Sequence, residues 1–568
     1  MSLLNEASFL VTPNGYKEDK LYAAIPTNGN GDMTVTRATT ATRVNEAGLV
    51  ELVPYNLLSR SEDFANASWT KLNSSTVVLD ATVANPTGIL STYKYTASNL
   101  SFGGILRNPA TITTATTYTL SFFVKKGNHS FVGIRFNTAA NSDRYITYNF
   151  DTDTIHQQGV TATAVASREL FANGWVRFIL VYTSTTSSGT SDIAITNSSG
   201  STPTTLTGTE YMYVYGAQLV EGSSALTYQK TVDRLDIPRI DYTGGGCPSI
   251  LLEPQRTNIV LRSQEFDNVS WLKFQVSVTA NALTAPDGTL TADLVTVTSD
   301  VGNRLNQAVT VTANTKYTFS FYAKAGTLET SSYSVYDLTN SANVLKVAYE
   351  MTEEWQRITS TFTTPVGCTS INIYTTRGQI ESGTYYVWGA QLEAGTYPTS
   401  YIPTVALAVA RNADVISKTG ISDLIGQTEG VMFIESAALF NDLTQRTIAI
   451  SDGTSNNRLY LFYSTTSNAI SIFGTASGTS FPLGVSYTIS DETQFAKIAV
   501  RYRANDISLW VNGEKRGTDL TSQALPINFS RFGFDSGTGG SVMYAKVKQV
   551  QLYKTYLKDA EMESLTTL

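Results

Sequence analysis

The sequence predicts an all-β, multidomain protein of tandem antiparallel jelly-roll or β-sandwich domains. Three observations predict it. One stretch occurs twice: residues 56–71 read NLLSRSEDFANASWTK and residues 258–273 read NIVLRSQEFDNVSWLK. Arg60, Ser61, Phe64, Asn66, Ser68 and Trp69 are answered by Arg262, Ser263, Phe266, Asn268, Ser270 and Trp271, and a period this long means duplicated domains rather than a solenoid. Charged residues are 15% of the chain, below the roughly 25% of an average soluble protein, while 31 Tyr and many Ser, Thr and Asn suit half-buried strands joined by polar turns. Short alternating runs broken by Gly and Asn recur throughout, and no helical pattern of useful length interrupts them.

The length of 568 residues accommodates three or four domains. Residues 1–55 open the chain as an N-terminal module of short apolar runs and turns, with a strand-rich stretch from Met33 to Val44 in which Arg37 and Arg43 read as partners of acidic neighbours before they read as an anion site. Residues 56–231 are the first repeat. In its run TYTLSFFVK (117–125), Tyr118, Leu120, Phe122 and Val124 share one face, and the run is answered by TKYTFSFYAK (315–324). Trp175 and Arg177 are answered by Trp355 and Arg357, and GAQL at 216–219 by GAQL at 389–392. Residues 232–257 are too apolar for a free tether and are expected to fold back onto 1–55, so that the first repeat is an insertion in the N-terminal module. Residues 258–404 are the second repeat. Residues 405–568 form a last sandwich, with a hairpin at Asn512-Gly513 and a short helix from Asp559.

Two further segments carry a resemblance. Residues 32–45 (DMTVTRATTATRVN) together with residues 239–258 (RIDYTGGGCPSILLEPQRTN) resemble a block of bacteriophage tail and structural proteins. The repeats are similar to the carbohydrate-binding-like jelly rolls of such proteins, through SEDF, Trp-x-Arg and GAQLE; the first repeat departs from the last by placing Val220 before Glu221. Residues 405–568 resemble concanavalin A-like (laminin G-like) lectin domains through Trp510-Val-Asn-Gly513 and residues 497–503. The resemblance implies a virion protein of a phage tail that displays glycan-binding domains toward host-surface polysaccharide. It implies contacts with other tail proteins through the N-terminal module and a homo-oligomer, with a trimer the usual arrangement. Two rivals stand beside it: a structural spacer or decoration protein, and a capsule-degrading tail enzyme.

The chemistry legible in the residues is that of binding. The net charge of −7 gives no basic footprint for nucleic acid. No apolar run approaches the ~20 residues of a membrane span, and the opening residues lack a secretory pattern, so synthesis in a host cytoplasm is expected. Cys247 and Cys368 show no metal spacing and read as small buried hydrophobes. His129 and His156 have no nucleophile motif around them, and no paired-carboxylate motif for glycoside hydrolysis is present. No catalytic residue is therefore assigned. No cofactor is required by the sequence; oxygen ligands for a structural calcium are plentiful, but no DxDxDG loop places one.

Sugar binding asks for an aromatic surface with a few amide or hydroxyl partners. Alternation from Ile507 to Val511 sends Ser508, Trp510 and Asn512 away from the apolar face, which makes them candidate ligand residues unless Trp510 packs beneath another element. Tyr213 and Tyr215 in the first repeat, answered by Tyr386 and Trp388 in the second, are further candidates, with packing between sheets as the alternative.

Overall fold

A computed structural model describes the chain apart from residues 1–2, 54–55, 73, 99–104, 113–115, 138–145, 157–163, 185–187, 197–205, 226–227, 232–235, 299–301, 380, 482–483, 522–524 and 526–527. Strands in antiparallel sheets dominate it, and residues 54–235 form one compact unit while residues 1–53 and 236–568 form another.

In residues 54–235, two six-stranded sheets face each other. One contains Thr117–Lys126 between Trp175–Thr183 and Tyr211–Glu221; the other runs from Thr70–Leu72 through Ile105–Thr111, Ser188–Ile195 and Phe131–Asn137 to Thr154–His156. Tyr118, Leu120, Phe122 and Val124 are buried between them with Trp69, Ile134 and Ile193. The alternation read from the sequence is the inward side of this strand.

The second repeat is built alike, from five-stranded sheets. Lys316–Ala325 lies between Gln356–Thr363 and Gly383–Ala394, and Phe319, Phe321 and Ala323 pack against Ile371, Ile373 and Val335 of the opposing sheet.

The duplicated residues lock the start of each repeat. Arg60 and Arg262 both adopt positive φ (52° and 51°), which turns the chain so that the Trp69 and Trp271 indole N–H groups donate to the Arg60 and Arg262 carbonyls at 2.9 and 3.1 Å. Asn56 and Asn258 each donate to a carbonyl of the returning GAQL strand, Ala217 and Ala390, and Ser61 and Ser263 meet the Tyr228 and Tyr401 hydroxyls. At the strand's bulge, Gly216 and Gly389 have φ of +50° and +64°. A Cβ on Gly216 would stand 3.0 Å from the Tyr228 ring, so both conformation and space favour glycine there.

Residues 405–568 do not stand alone. The strand Phe9–Lys17 pairs with Ala545–Tyr553, Met33–Thr36 with Val415–Thr419, and Ser249–Leu251 with Ala545–Tyr553. One sheet side runs from Glu514–Asp519 through Asp506–Val511, Ala496–Arg503 and Glu429–Ala438 to Ala545–Tyr553. The hairpin of Phe9–Lys17 and Lys20–Ile25 then leads by way of Met33–Thr36 to the opposite side. A single core holds Phe9, Val11, Leu21, Ile250, Ile434, Ile498, Phe532 and Leu552. The sequence reading drew a boundary between the opening segment and residues 405–568; backbone hydrogen bonds run across it, because the opening strands supply edges that the last sandwich needs.

The joint between these parts is a buried ion network. Arg37, Arg239 and Arg411 are among the largest fully buried side chains. Asp414 accepts from Arg37 at 2.7 Å and also pairs with Arg239. Glu253 pairs with Arg239 at 2.6 Å and with Arg411, and accepts from the Ser400 N–H and hydroxyl at the close of the second repeat. Burial alone would raise both carboxyls; Arg239 and Arg37 beside Asp414, and Arg411 and Arg239 beside Glu253, outweigh it and hold both below the usual carboxylate range. Arg37, Arg239 and Glu253 belong to residues 32–45 and 239–258, so these two segments meet in this joint. Arg37 and Arg43 pair with acidic residues as expected, Arg43 with Glu51 at 2.8 Å. Arg37 is wholly buried.

Candidate glycan-binding face

The residues proposed from sequence are mostly inside. Trp510 is 4% exposed. It packs with Phe433, Leu557, Met562 and Leu565 beneath the helix Asp559–Thr566, and its indole N–H donates to the Ser508 hydroxyl at 3.1 Å. The alternation was read correctly, since Ile507, Leu509 and Val511 do enter the main core. The opposite face is covered by the C-terminal helix, which withdraws Trp510 and Ser508 as ligand residues. Asn512 is a turn residue at φ 49° whose side chain accepts from the Lys497 N–H.

Tyr215 is buried and donates to Glu62, while Tyr213 is half-buried edge-on to Tyr211 at 5.7 Å. Trp388 is fully buried against Tyr322 and Tyr401; Tyr386 beside it is half-buried. Neither of the two buried rings, Tyr215 and Trp388, presents a face to a ligand. A cleft of about 490 Å³ is bordered by Tyr322, Lys324, Leu283 and Trp355. The Trp355 indole N–H is already committed to the Thr284 carbonyl. Of the cysteines, Cys368 is buried as expected, and Cys247 is exposed in the turn after three glycines. Among the described residues, no group of three or more His, Cys, Asp or Glu side chains is placed to hold a metal ion.

The polar and aromatic concentration sits elsewhere, on the outward side of the second repeat's other sheet. Cross-strand register arranges it in three rows. Phe274, Arg304 and Arg377 are directly opposite one another on three strands. The next row is Leu272, Asn306, Tyr374, Ser334 and Lys346. The third is Ala308, Asn372, Tyr336 and Asn343. Inward neighbours Leu305, Val309, Ile371, Ile373 and Val335 fill the core, and this burial fixes which side chains face out.

Within these rows the Arg377 guanidinium lies 4.8 Å from the Tyr374 ring centre and 5.0 Å from that of Tyr336. It donates to Ser334 Oγ at 3.0 Å and Asn343 Oδ1 at 2.7 Å. Arg304 stacks over Phe274 at 4.5 Å, and Phe274 remains 45% exposed. Asn372 donates through Nδ2 to the Tyr374 hydroxyl at 3.2 Å. Among the described residues Asn306 Oδ1 and Asn372 Oδ1 have no donor; both atoms are shielded from solvent, and Asn306, Tyr374 and Ser334 lie beneath the outer layer of this face. What the face presents outward is the Phe274 ring, the half-buried Tyr336 ring and the guanidinium groups stacked on them, flat surfaces of the kind a sugar ring packs against.

The family comparison falls on this module. Residues 260–383 match a carbohydrate-binding domain. That match contains every residue of the three rows. Among solved structures, the chain is similar to the tandem CBM22-1–CBM22-2 domain from Paenibacillus barcinonensis Xyn10C (13% identity, 63% of this chain and 100% of that one, TM-score 0.23). It is also similar to the CBM40 of the Ruminococcus gnavus IT-sialidase bound to α2,3-sialyllactose (15% identity, 25% and 84%, TM-score 0.20). No curated protein matches the chain.

The first repeat differs at the same level. Asn108 reaches the Ser59 carbonyl as Gln307 reaches that of Leu261, which aligns the two sheets. Arg107, Asp192 and Arg135 therefore occupy the places of Asn306, Tyr374 and Ser334. Arg107 grips Asp192 with two hydrogen bonds of 2.8 Å and Arg135 adds a third of 2.9 Å. An ion triad thus fills the positions that in the second repeat carry an aromatic and amides. Sequence reasoning missed the face because it searched for residues shared by both repeats, which turned out to be framework. The signal lay in outward strand positions where the repeats disagree.

Proposed function

We propose that this protein is a non-catalytic glycan-binding protein whose contact surface is the outward face of the sheet holding Arg304–Thr310, Ser370–Arg377 and Thr330–Asp337. The observation that carries the reading is the row of outward rings capped by guanidinium groups, Tyr336 under Arg377 and the 45% exposed Phe274 under Arg304. The carbohydrate-binding match over the same residues supports it.

The setting we propose is a bacteriophage tail, with host-surface polysaccharide as the ligand and the chain carried out of its host on the particle. Its support is the resemblance of residues 32–45 and 239–258, whose arginines and glutamate form the buried joint. Several copies per particle, as in a trimer, raise a weak single-site affinity by avidity. The first repeat and the last sandwich serve in this reading as framework.

The test is a polysaccharide panel with wild-type protein and Tyr336→Ala, with reducing ends assayed in parallel. The reading expects binding by the wild type, at least a tenfold loss in the variant, and no new reducing ends. Absence of binding to every polymer would favour a spacer, and reducing-end release would make the protein an enzyme.

A further inference from the structure

Arg304 and Arg377 are cross-strand partners. Like charges directly opposite on adjacent strands repel, their Cβ atoms being about 5 Å apart. Neither guanidinium forms an ion pair with a carboxylate among the described residues. Arg377 spends its donors on the neutral Ser334 and Asn343 oxygens, and Arg304 donates to the Gly302 carbonyl at 3.2 Å. Both rings beneath them are held by cation–π contacts, which position a guanidinium without neutralising it. The contrast is with the first repeat, where in the row that aligns with Asn306, Tyr374 and Ser334 two arginines share the fully buried Asp192. Lys346, in the adjacent row, is exposed and adds a third positive charge. A face meant for a neutral sugar gains nothing from two adjoining uncompensated arginines.

We propose that the ligand of this face is an acidic glycan, its carboxylates drawn to the charges of Arg304, Arg377 and Lys346. This rests on the reading of the face as the glycan site. Each guanidinium is a planar donor that matches the two oxygens of a carboxylate. Arg304 leans toward Phe274 and Arg377 toward Tyr336 and Asn343, so they are separate contact points for acidic groups spaced along a chain. The positions that decide charge preference are then Arg304 and Arg377, and the ring that reads the neutral part of the sugar is Tyr336.

The full-length protein would be titrated with polygalacturonate, alginate and hyaluronan, with the carboxyl-reduced form of each, and with neutral xylan and mixed-linkage β-glucan. The proposal expects at least one acidic polymer to bind, its carboxyl-reduced form to bind at least tenfold more weakly, and Arg377→Met to abolish that difference. Because Arg377→Met could disturb folding, the wild type is also titrated from about 0.05 to about 0.5 M NaCl, where screening of an exposed charge pair should weaken the acidic ligand severalfold and leave a neutral one unchanged. Equal binding of an acidic polymer and its reduced form, or binding of neutral polymers only, overturns the acidic preference while the glycan face stands. Failure of all polymers to bind overturns both.

Discussion

Replacing Asp414 by Asn removes one negative charge from the buried joint and little else. Asp414 sits within hydrogen-bond reach of Arg37 and Arg239 and accepts from the Glu253 N–H at 2.9 Å. Arg239 keeps Glu253 as a second partner, but Asp414 is the carboxylate paired with Arg37, whose side chain is 0% exposed. Losing one member of a buried pair leaves an uncompensated charge and costs about 3–5 kcal/mol, a large part of the roughly 5–15 kcal/mol that holds a typical protein folded. Urea unfolding followed by tryptophan fluorescence measures the difference at pH 7. The double variant Asp414→Asn/Arg37→Met, which removes the stranded charge, should recover part of the loss. The pH dependence follows by linkage. Both carboxyls titrate lower in the folded state than in the unfolded chain, so their contribution is present above the unfolded value of ~4 and disappears as pH falls through their lower folded values. The variant should therefore lose less stability than the wild type on acidification below that value. A loss under about 1 kcal/mol at pH 7, with no recovery in the double variant, would refute the argument that this network is a joint.

Other substitutions check separate parts of the account. Trp510→Ala should cost about 3–5 kcal/mol of stability by opening a cavity under the C-terminal helix while leaving glycan binding unchanged; a selective loss of binding would restore it as a ligand residue. Asp192→Asn should destabilise the unit formed by residues 54–235 by a similar ~3–5 kcal/mol, because Arg107 and Arg135 would be left without their carboxylate, and thermal unfolding resolves it. Asp293 accepts from the Phe266 and Asn281 N–H groups, yet burial pushes its carboxyl up to about 6. A folded value above the unfolded ~3.9 means stability falls as pH rises between the two. Asp293→Asn should gain on the wild type across that window, and a pH-independent difference in urea midpoints would contradict the assignment.

Fold and site were legible to different degrees for physical reasons. The all-β class, the duplication, the Asn512-Gly513 hairpin and the helix from Asp559 could be read because each depends on local pattern. Strand alternation also placed Ile507, Leu509 and Val511 correctly. What alternation cannot say is whether the opposite face meets water: Trp510 faces away from one core and into another, beneath a helix some fifty positions further along. The sharing of strands between residues 1–53 and 405–568 was illegible because it is a long-range pairing, although Arg37, Arg239 and Glu253 marked the two segments that meet. The proposed face escaped because Asn306, Tyr336 and Arg377 come from different strands and are brought together only through register. A one-residue slip would turn all of them inward.

The most direct test of the central claim is a crystal structure of the full-length protein with an oligosaccharide taken from whichever polymer binds. The account predicts sugar density across Tyr336, Asn372 and Arg377. Density in the cleft beside Trp355, or on the first repeat, with the Tyr336 face left bare, would contradict it.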